Sequence, residues 1–126
     1  MSCFVRIATK LVDRDIVQQA AAELGHPVIA GTTEARGWSG RRERADFVLR
    51  TGTDYDIGAV RTAEGSYDFV ADWSMTHVDQ KTFVNRLTQK YSTLRVTQAA
   101  KKKGFNVAHQ EVDAKGSVRL VLRRFA

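Results

Sequence analysis

The chain has little cysteine or proline, with one of each in 126 residues. Because Cys3 is the only cysteine, an intrachain disulfide is excluded, and a free thiol fits a reducing compartment. No stretch approaches the roughly 20 apolar residues of a membrane-spanning helix, and residues 1–12 lack the layout of a signal peptide. We therefore expect a cytoplasmic protein, or one of the equivalent compartment of a plastid or virus-infected cell.

What the chain does contain is the composition of a globular protein, with 43% hydrophobic and 27% charged residues. A single domain over residues 1–126 is long enough to bury a stable core. The formal net charge is +6. Residues 79–126 hold 11 Lys and Arg against 3 Asp and Glu, so the whole excess lies in the C-terminal part. This asymmetry predicts one basic face, suited to nucleic acid, an anionic lipid surface or an acidic protein.

Hydrophobic periodicity and turn residues divide the chain into strands and helices. The predicted elements are a strand over 3–11, a helix over 13–24, an extended segment over 27–30, a mobile loop or loose hairpin over 31–44, strands over 45–50, 56–62 and 66–73, a second helix over 79–103, and a closing hairpin of strands over 105–112 and 117–125. Asp13 and Asp79 are the expected N-caps of the helices. The second helix is long for so small a domain, which leaves room for a bend near Ser92 and Thr93.

This order of elements predicts an α+β fold. A single, largely antiparallel sheet with two helices packed on one face accommodates the pieces, and a ferredoxin-like fold is the nearest simple relative. In that topology the first and last strands can be neighbours, with the β-hairpin closing the chain.

Catalytic, cofactor and metal patterns are missing from the sequence. Three scattered histidines and one cysteine form no zinc motif, and the glycines match no phosphate-binding motif. Asp54, Asp56, Asp68 and Asp72 could gather into a carboxylate cluster for a divalent cation or for acid–base chemistry. Solvated acids on a strand face and in turns are the favoured interpretation. We therefore predict that the protein is not an enzyme and uses no cofactor.

A basic and aromatic surface is the strongest functional pattern. Phe4 and Arg6 share one face of the first strand, and Arg119 and Arg123 share one face of the last. If the two strands are neighbours, these faces merge into a surface that can stack bases and neutralise phosphates. Alternatively, Phe4 and Phe125 pack against the loop that contains Trp38, and the arginine side chains lie over the two rings. The predicted binding face comprises Phe4, Arg6, Lys10, Trp38, Arg41, Arg42, Arg44, Lys101, Lys102, Lys103, Arg119, Arg123 and Phe125.

Several segments, in order along essentially the whole chain, carry a family resemblance. They are Met1-Ser2-x-Phe4, Ala45-Asp46-Phe47-Val48-Leu49-Arg50, Tyr55-Asp56-Ile57-Gly58, Phe83-x-x-Arg86-Leu87-Thr88-Gln89-x-Tyr91, Gly104-Phe105-x-Val107 and Gly116-Ser117-Val118-Arg119-Leu120-Val121-Leu122-x-Arg124. The chain resembles domain-of-unknown-function family twelve fifty-seven, which includes hypothetical chloroplast open reading frame thirty-five of algal plastids and cyanobacteria. Cys3 stands where the family often has histidine, and the loop over 31–44 is more basic than usual.

The resemblance implies no catalytic residue. Relatives are often encoded near an AAA-type ATPase, so the resemblance implies an adaptor or accessory subunit with such an ATPase as its partner. From the residues and the resemblance together we expect a small, basic accessory or adaptor protein that binds another macromolecule. The alternative is a single-stranded nucleic-acid-binding protein that uses the basic and aromatic sheet face.

Overall fold

A computed structural model describes residues 3–124 of the chain. Its elements in chain order are β1 (Val5–Ala8), α1 (Arg14–Glu23), β2 (Glu34–Arg36), β3 (Arg42–Arg44), β4 (Phe47–Leu49), β5 (Ile57–Arg61), β6 (Tyr67–Ala71), α2 (Trp73–Thr76), α3 (Gln80–Lys102), β7 (Phe105–Val112) and β8 (Val118–Arg124). A single 3₁₀ turn, Trp38–Gly40, lies between β2 and β3.

The central sheet has four strands in the order β1-β6-β5-β4, and each neighbouring pair is antiparallel. Alternate side chains of these strands, among them Ile57 and Phe69, point to the face on which α1 and α3 pack. Val17 of α1 and Leu87 of α3 are fully buried there. This is the main hydrophobic core of the protein.

Both predicted N-caps are confirmed. Asp13 accepts a hydrogen bond from the backbone N–H of Ile16 at 3.3 Å, and Asp79 accepts one from Thr82 at 2.9 Å. The hydrogen bonds from Thr82 lower the pKa of Asp79, because they stabilise the charged carboxylate. α3 then continues as one uninterrupted helix over 23 residues, through Ser92 and Thr93 where the sequence allowed a bend.

The opposite face of the sheet is covered by the β2–β3 hairpin, which forms from the segment predicted to be a mobile loop or loose hairpin. Ala35 and Ala45 pack there against Val48 to make a second, smaller core. Gly58 of β5 lies beneath them. A Cβ atom on this glycine would lie 3.0 Å from the Cβ atom of Ala45 and 3.2 Å from Cγ1 of Val70. The absence of a side chain at Gly58 therefore sets how closely the hairpin approaches the sheet.

We expect Gly58→Ala to lower the free energy of unfolding by about 1–2 kcal/mol, because the added methyl group overpacks the second core. Equilibrium denaturation in urea measures the change. Adding Ala45→Gly to this variant removes the nearest contact and should restore part of the loss. A Gly58→Ala protein as stable as the wild type would contradict close packing of the hairpin on the sheet.

The α+β class and the closing β-hairpin are confirmed, and the details of the sheet are different from those expected. The described residues form one four-stranded sheet and two two-stranded sheets rather than a single sheet, and α2 adds a third, one-turn helix. The ferredoxin-like strand order is not adopted: that order places the strand that follows the second helix beside the first strand, whereas β7, which follows α3, pairs with β8 in a separate sheet.

The prediction that the first and last strands are neighbours in one sheet is also wrong. β1 pairs with β6, and β8 pairs with β7 in a separate sheet. α3 carries the chain about 34 Å along its axis before β7 begins, and the closing strands pack on α3. The faces that carry Phe4 and Arg6 and those that carry Arg119 and Arg123 consequently do not merge.

Candidate macromolecule-binding site at the hairpin tip

The connection between β2 and β3, together with the first residue of β3, forms a compact turn over residues 37–42 that we call the hairpin tip. The backbone N–H of Gly37 donates to the carbonyl oxygen of Arg41 at 2.8 Å, and that of Arg41 donates to Trp38 at 3.2 Å. Ser39 and Gly40 both adopt left-handed backbone angles, with φ of 58° and 74°. This turn presents the Trp38 side chain to solvent with 47% of its surface exposed.

A buried carboxylate fixes one side of the hairpin tip. Asp56, 1% exposed, receives the Arg36 guanidinium in a two-pronged pair at 2.8 Å and 2.9 Å. The same carboxylate accepts the backbone N–H of Arg36 at 2.9 Å. The hydrogen bond to Asp56 raises the pKa of Arg36, since it stabilises the charged guanidinium. The end of β2 is therefore tied to the start of β5 by side chain and backbone together.

A second buried carboxylate fixes the other side. Asp72, 2% exposed at the end of β6, accepts the backbone N–H of Trp38 at 3.1 Å. The hydroxyl of Ser74 donates to the other oxygen of Asp72 at 3.4 Å. Since Asp56 holds residue 36 and Asp72 holds residue 38, both backbone neighbours of Gly37 are fixed to the central sheet.

The interpretation of these acids as solvated is wrong for Asp56 and Asp72. The hairpin covers the face of the sheet on which they lie, and its backbone supplies their hydrogen-bond donors. Asp68 pairs instead with Arg6 of β1 at 2.8 Å, and Asp54 is exposed. Within residues 3–124, no group of three or more His, Cys, Asp or Glu side chains is placed to hold a metal ion.

Phe4 lies under the hairpin tip rather than on a stacking surface. A Cβ atom on Gly37 would lie 2.5 Å from Cζ of Phe4, so the ring fills the space that this glycine leaves. Phe4 thus packs against the loop containing Trp38, as the second of the two interpretations has it, and its ring is half-buried rather than exposed. Arg6 is held by its ion pair with Asp68 on the same sheet face.

Around Trp38 the hairpin tip is basic. Arg41 and Arg42 of the tip, and Arg44 at the far end of β3, are exposed, and among the residues that the structure describes their side chains form no ion pair. A shallow groove of about 270 Å³ opens beside the turn; it is lined by Arg36, Gly37, Ser39, Gly40, Arg41, Arg42, Asp54 and Tyr55. An exposed indole beside unpaired guanidinium groups can bind an acidic surface that also offers an apolar contact.

The other predicted binding residues lie away from this site. Lys10 is exposed after β1, and Lys101, Lys102 and Lys103 are exposed at the end of α3. Arg119 and Arg123 lie on β8, and Phe125 falls outside the described residues. The predicted face is thus divided among the hairpin tip, the end of β1 and the C-terminal part of the chain.

Comparison with known proteins places the chain in a family. A family described as "Protein of unknown function (DUF1257)" matches residues 20–121. The chain belongs to this family. The DUF1257 match includes the hairpin tip and both carboxylates that hold it, so the site lies within the part of the chain that defines the relationship.

Similar relatives of this DUF1257 chain are each described as "Uncharacterized protein ycf35". Those of Cyanophora paradoxa and Guillardia theta are 27% and 29% identical to it, and that of Pyropia yezoensis is 24% identical; each match covers 99% of this chain and 98% of the relative. No solved structure matches the chain significantly.

Among the described residues of this DUF1257 chain, no helix is long and apolar enough to cross a membrane.

Proposed function

We propose that this DUF1257 protein is a small, non-catalytic accessory protein that binds another protein through its hairpin tip. The observation that carries the proposal is the pair of buried carboxylates, Asp56 and Asp72, on either side of an exposed Trp38. Burying charged groups is costly unless each is hydrogen-bonded. Here that arrangement holds the backbone of a turn whose ring points into solvent, which is the geometry of a preorganised binding anchor.

The chemistry of the hairpin tip favours a partner with an acidic surface around an apolar pocket. Tryptophan and arginine are the residues that most often dominate binding energy at protein interfaces, and the tip contains both. Arg41, Arg42 and Arg44 would meet carboxylates at the rim while Trp38 fills the pocket. An AAA-type ATPase is the partner that the family resemblance implies, in the cytoplasm or its plastid equivalent.

A single-stranded nucleic acid is the second candidate. An exposed aromatic ring beside arginine side chains also suits base stacking with phosphate neutralisation, and Trp38 provides that combination at the hairpin tip. The two candidates differ in their salt dependence, because phosphate contacts release counterions and weaken strongly as salt rises.

We expect Trp38→Ala and the double variant Arg41→Glu with Arg42→Glu each to reduce partner recovery about 30-fold, as loss of an interface hot spot does. The experiment is affinity purification of tagged protein from the native host at physiological salt, followed by mass spectrometry. The double variant Lys101→Glu with Lys102→Glu has the same change in charge at another exposed place and should bind as the wild type does.

Recovery of one partner protein by the wild type and control, with loss in both tip variants, supports the proposal. Equal recovery by all four proteins would overturn it. Recovery that nuclease treatment or moderate salt abolishes would favour the nucleic-acid candidate instead. Turnover of a small molecule by the pure protein, with no partner recovered, would reverse the choice of a non-catalytic role.

A further inference from the structure

The C-terminal hairpin, residues 105–124, is the least covered part of the described chain. β7 and β8 pair with each other and lie against α3, outside the four-stranded sheet. A two-stranded hairpin by itself is marginally stable in water, and a third strand or a covering element stabilises it. α3 covers one side: Val118 and Leu120 are half-buried, and the side chain of Gln89 donates to the carbonyl oxygen of Gly116 at 2.6 Å.

The other face of β8 is open and positively charged. Arg119, Val121 and Arg123 share it, as strand alternation predicts, and Val121 is 47% exposed. Glu111 is the cross-strand neighbour of Arg119, but its carboxylate is hydrogen-bonded to His109 at 2.8 Å. Among the described residues, the side chains of Arg119 and Arg123 consequently have no acidic partner.

The two outer edges of this hairpin differ in their capacity to accept another strand. β7 has a β-bulge between Val107 and His109, a feature that bends a strand and interrupts further pairing. β8 is a run of seven residues, rich in valine and leucine, without glycine or proline. Its second edge has no strand partner within residues 3–124. The edge of β8 is therefore the one suited to strand addition.

Charge favours an acidic strand at this edge over a second copy of β8. An antiparallel pair of two β8 strands centred on Val121 would put Arg119 opposite Arg123 of the second copy, and like charges directly opposite are destabilising. We infer that the free edge of β8 binds an extended acidic segment of a partner protein by strand addition. Carboxylates four residues apart, with an aliphatic residue midway between them, would lie opposite Arg119, Val121 and Arg123.

The probe is the peptide acetyl-Thr-Glu-Thr-Val-Thr-Glu-Thr-amide, labelled for fluorescence anisotropy and titrated with the full chain. We expect binding that falls about tenfold or more in the double variant Arg119→Glu with Arg123→Glu, because two attractive cross-strand pairs become repulsive. Arg119→Gln with Arg123→Gln tests the same contacts without charge reversal and should give a smaller loss. Circular dichroism confirms that each variant keeps its fold.

Backbone pairing is tested separately from charge. In an added strand, every second backbone N–H points toward β8. Two probes are therefore compared, one N-methylated at the amides that face β8 and the other at the amides that face away. Their affinities should differ by about tenfold or more, because only the first loses hydrogen bonds to β8. A lysine-for-glutamate probe should not bind. The inference does not rest on the proposed function, and Arg41→Glu with Arg42→Glu should leave peptide binding unchanged.

Several results would overturn strand addition at β8. They are absence of binding by the unmodified probe, equal affinities of the two N-methylated probes, and equal binding by the β8 charge-reversal variant and the wild type. A tip variant that weakens peptide binding as strongly as the β8 variant would assign the acidic segment to the hairpin tip instead.

Discussion

Replacing Arg36 by methionine is expected to lower the free energy of unfolding by about 3 kcal/mol, the range seen when one partner of a buried ion pair is removed. Asp56 would keep its place beneath the hairpin and lose both bonds from the guanidinium. The effect should lie at the lower end of that range, because the Arg36 side chain is half exposed and the Arg36 backbone N–H still donates to Asp56. Urea denaturation at neutral pH measures it.

The double variant Arg36→Met with Asp56→Leu is the matched control. Exchange of both partners for apolar side chains of similar size leaves no unpaired charge, and such exchanges are often close to neutral in stability. The double variant should therefore be more stable than Arg36→Met. An Arg36→Met protein that unfolds at the same urea concentration as the wild type would show that the pair does not hold the hairpin.

This stabilisation has a defined dependence on pH. The pKa of Arg36 is raised in the folded protein, so its contribution is fully present below the unfolded-state pKa. It disappears as pH rises through the folded-state pKa, which lies in the strongly alkaline range. The guanidinium contribution should therefore stay constant across neutral pH.

Phe83→Ala is expected to produce a larger loss, about 3–5 kcal/mol, as removal of a buried phenylalanine ring does. Phe83 is 3% exposed in the first turn of α3, and its ring lies between 5.5 and 5.8 Å from those of His26, Phe69 and Trp73. The substitution leaves a cavity among three aromatic neighbours from three parts of the chain. Thermal and urea denaturation measure the loss together.

Val96→Ala is the control for this substitution, because Val96 lies on the same helix with nearly half of its surface exposed. A surface change of this kind is expected to alter stability by no more than about 0.5 kcal/mol. Equal effects of the two substitutions would contradict the position of Phe83 at the contact between α3 and the sheet.

Local patterns were sufficient to predict much of this fold. The strand predicted over 66–73 contains β6, whose Tyr67, Phe69 and Ala71 alternate on the core face, and side-chain chemistry correctly identifies Asp13 and Asp79 as caps. These features depend on residues within a few positions of one another. The observed limits of β7 are the predicted ones, 105–112, for the same reason: the turn sequence at 113–116 determines where the strand ends.

The candidate site depended on contacts between distant residues. Asp56 meets Arg36 across 20 positions, and Asp72 meets the Trp38 backbone across 34. Composition could mark Trp38 and its arginines as binding residues, but no spacing rule indicates which acid lies beneath them. Their burial follows from the hairpin that folds over the second sheet face, and the small side chains of Ala35 and Ala45 gave no separate sign of that packing.

The attachment of the C-terminal hairpin to α3, outside the four-stranded sheet, also determines how the molecule opens. Elements with few buried contacts exchange their amide hydrogens through local opening, while a central sheet exchanges through global unfolding. β7 and β8 share no backbone hydrogen-bond ladder with the central sheet. We therefore expect the amides of β7 and β8 to exchange faster than those of the central sheet, through separation of the C-terminal hairpin from α3 while the sheet stays folded.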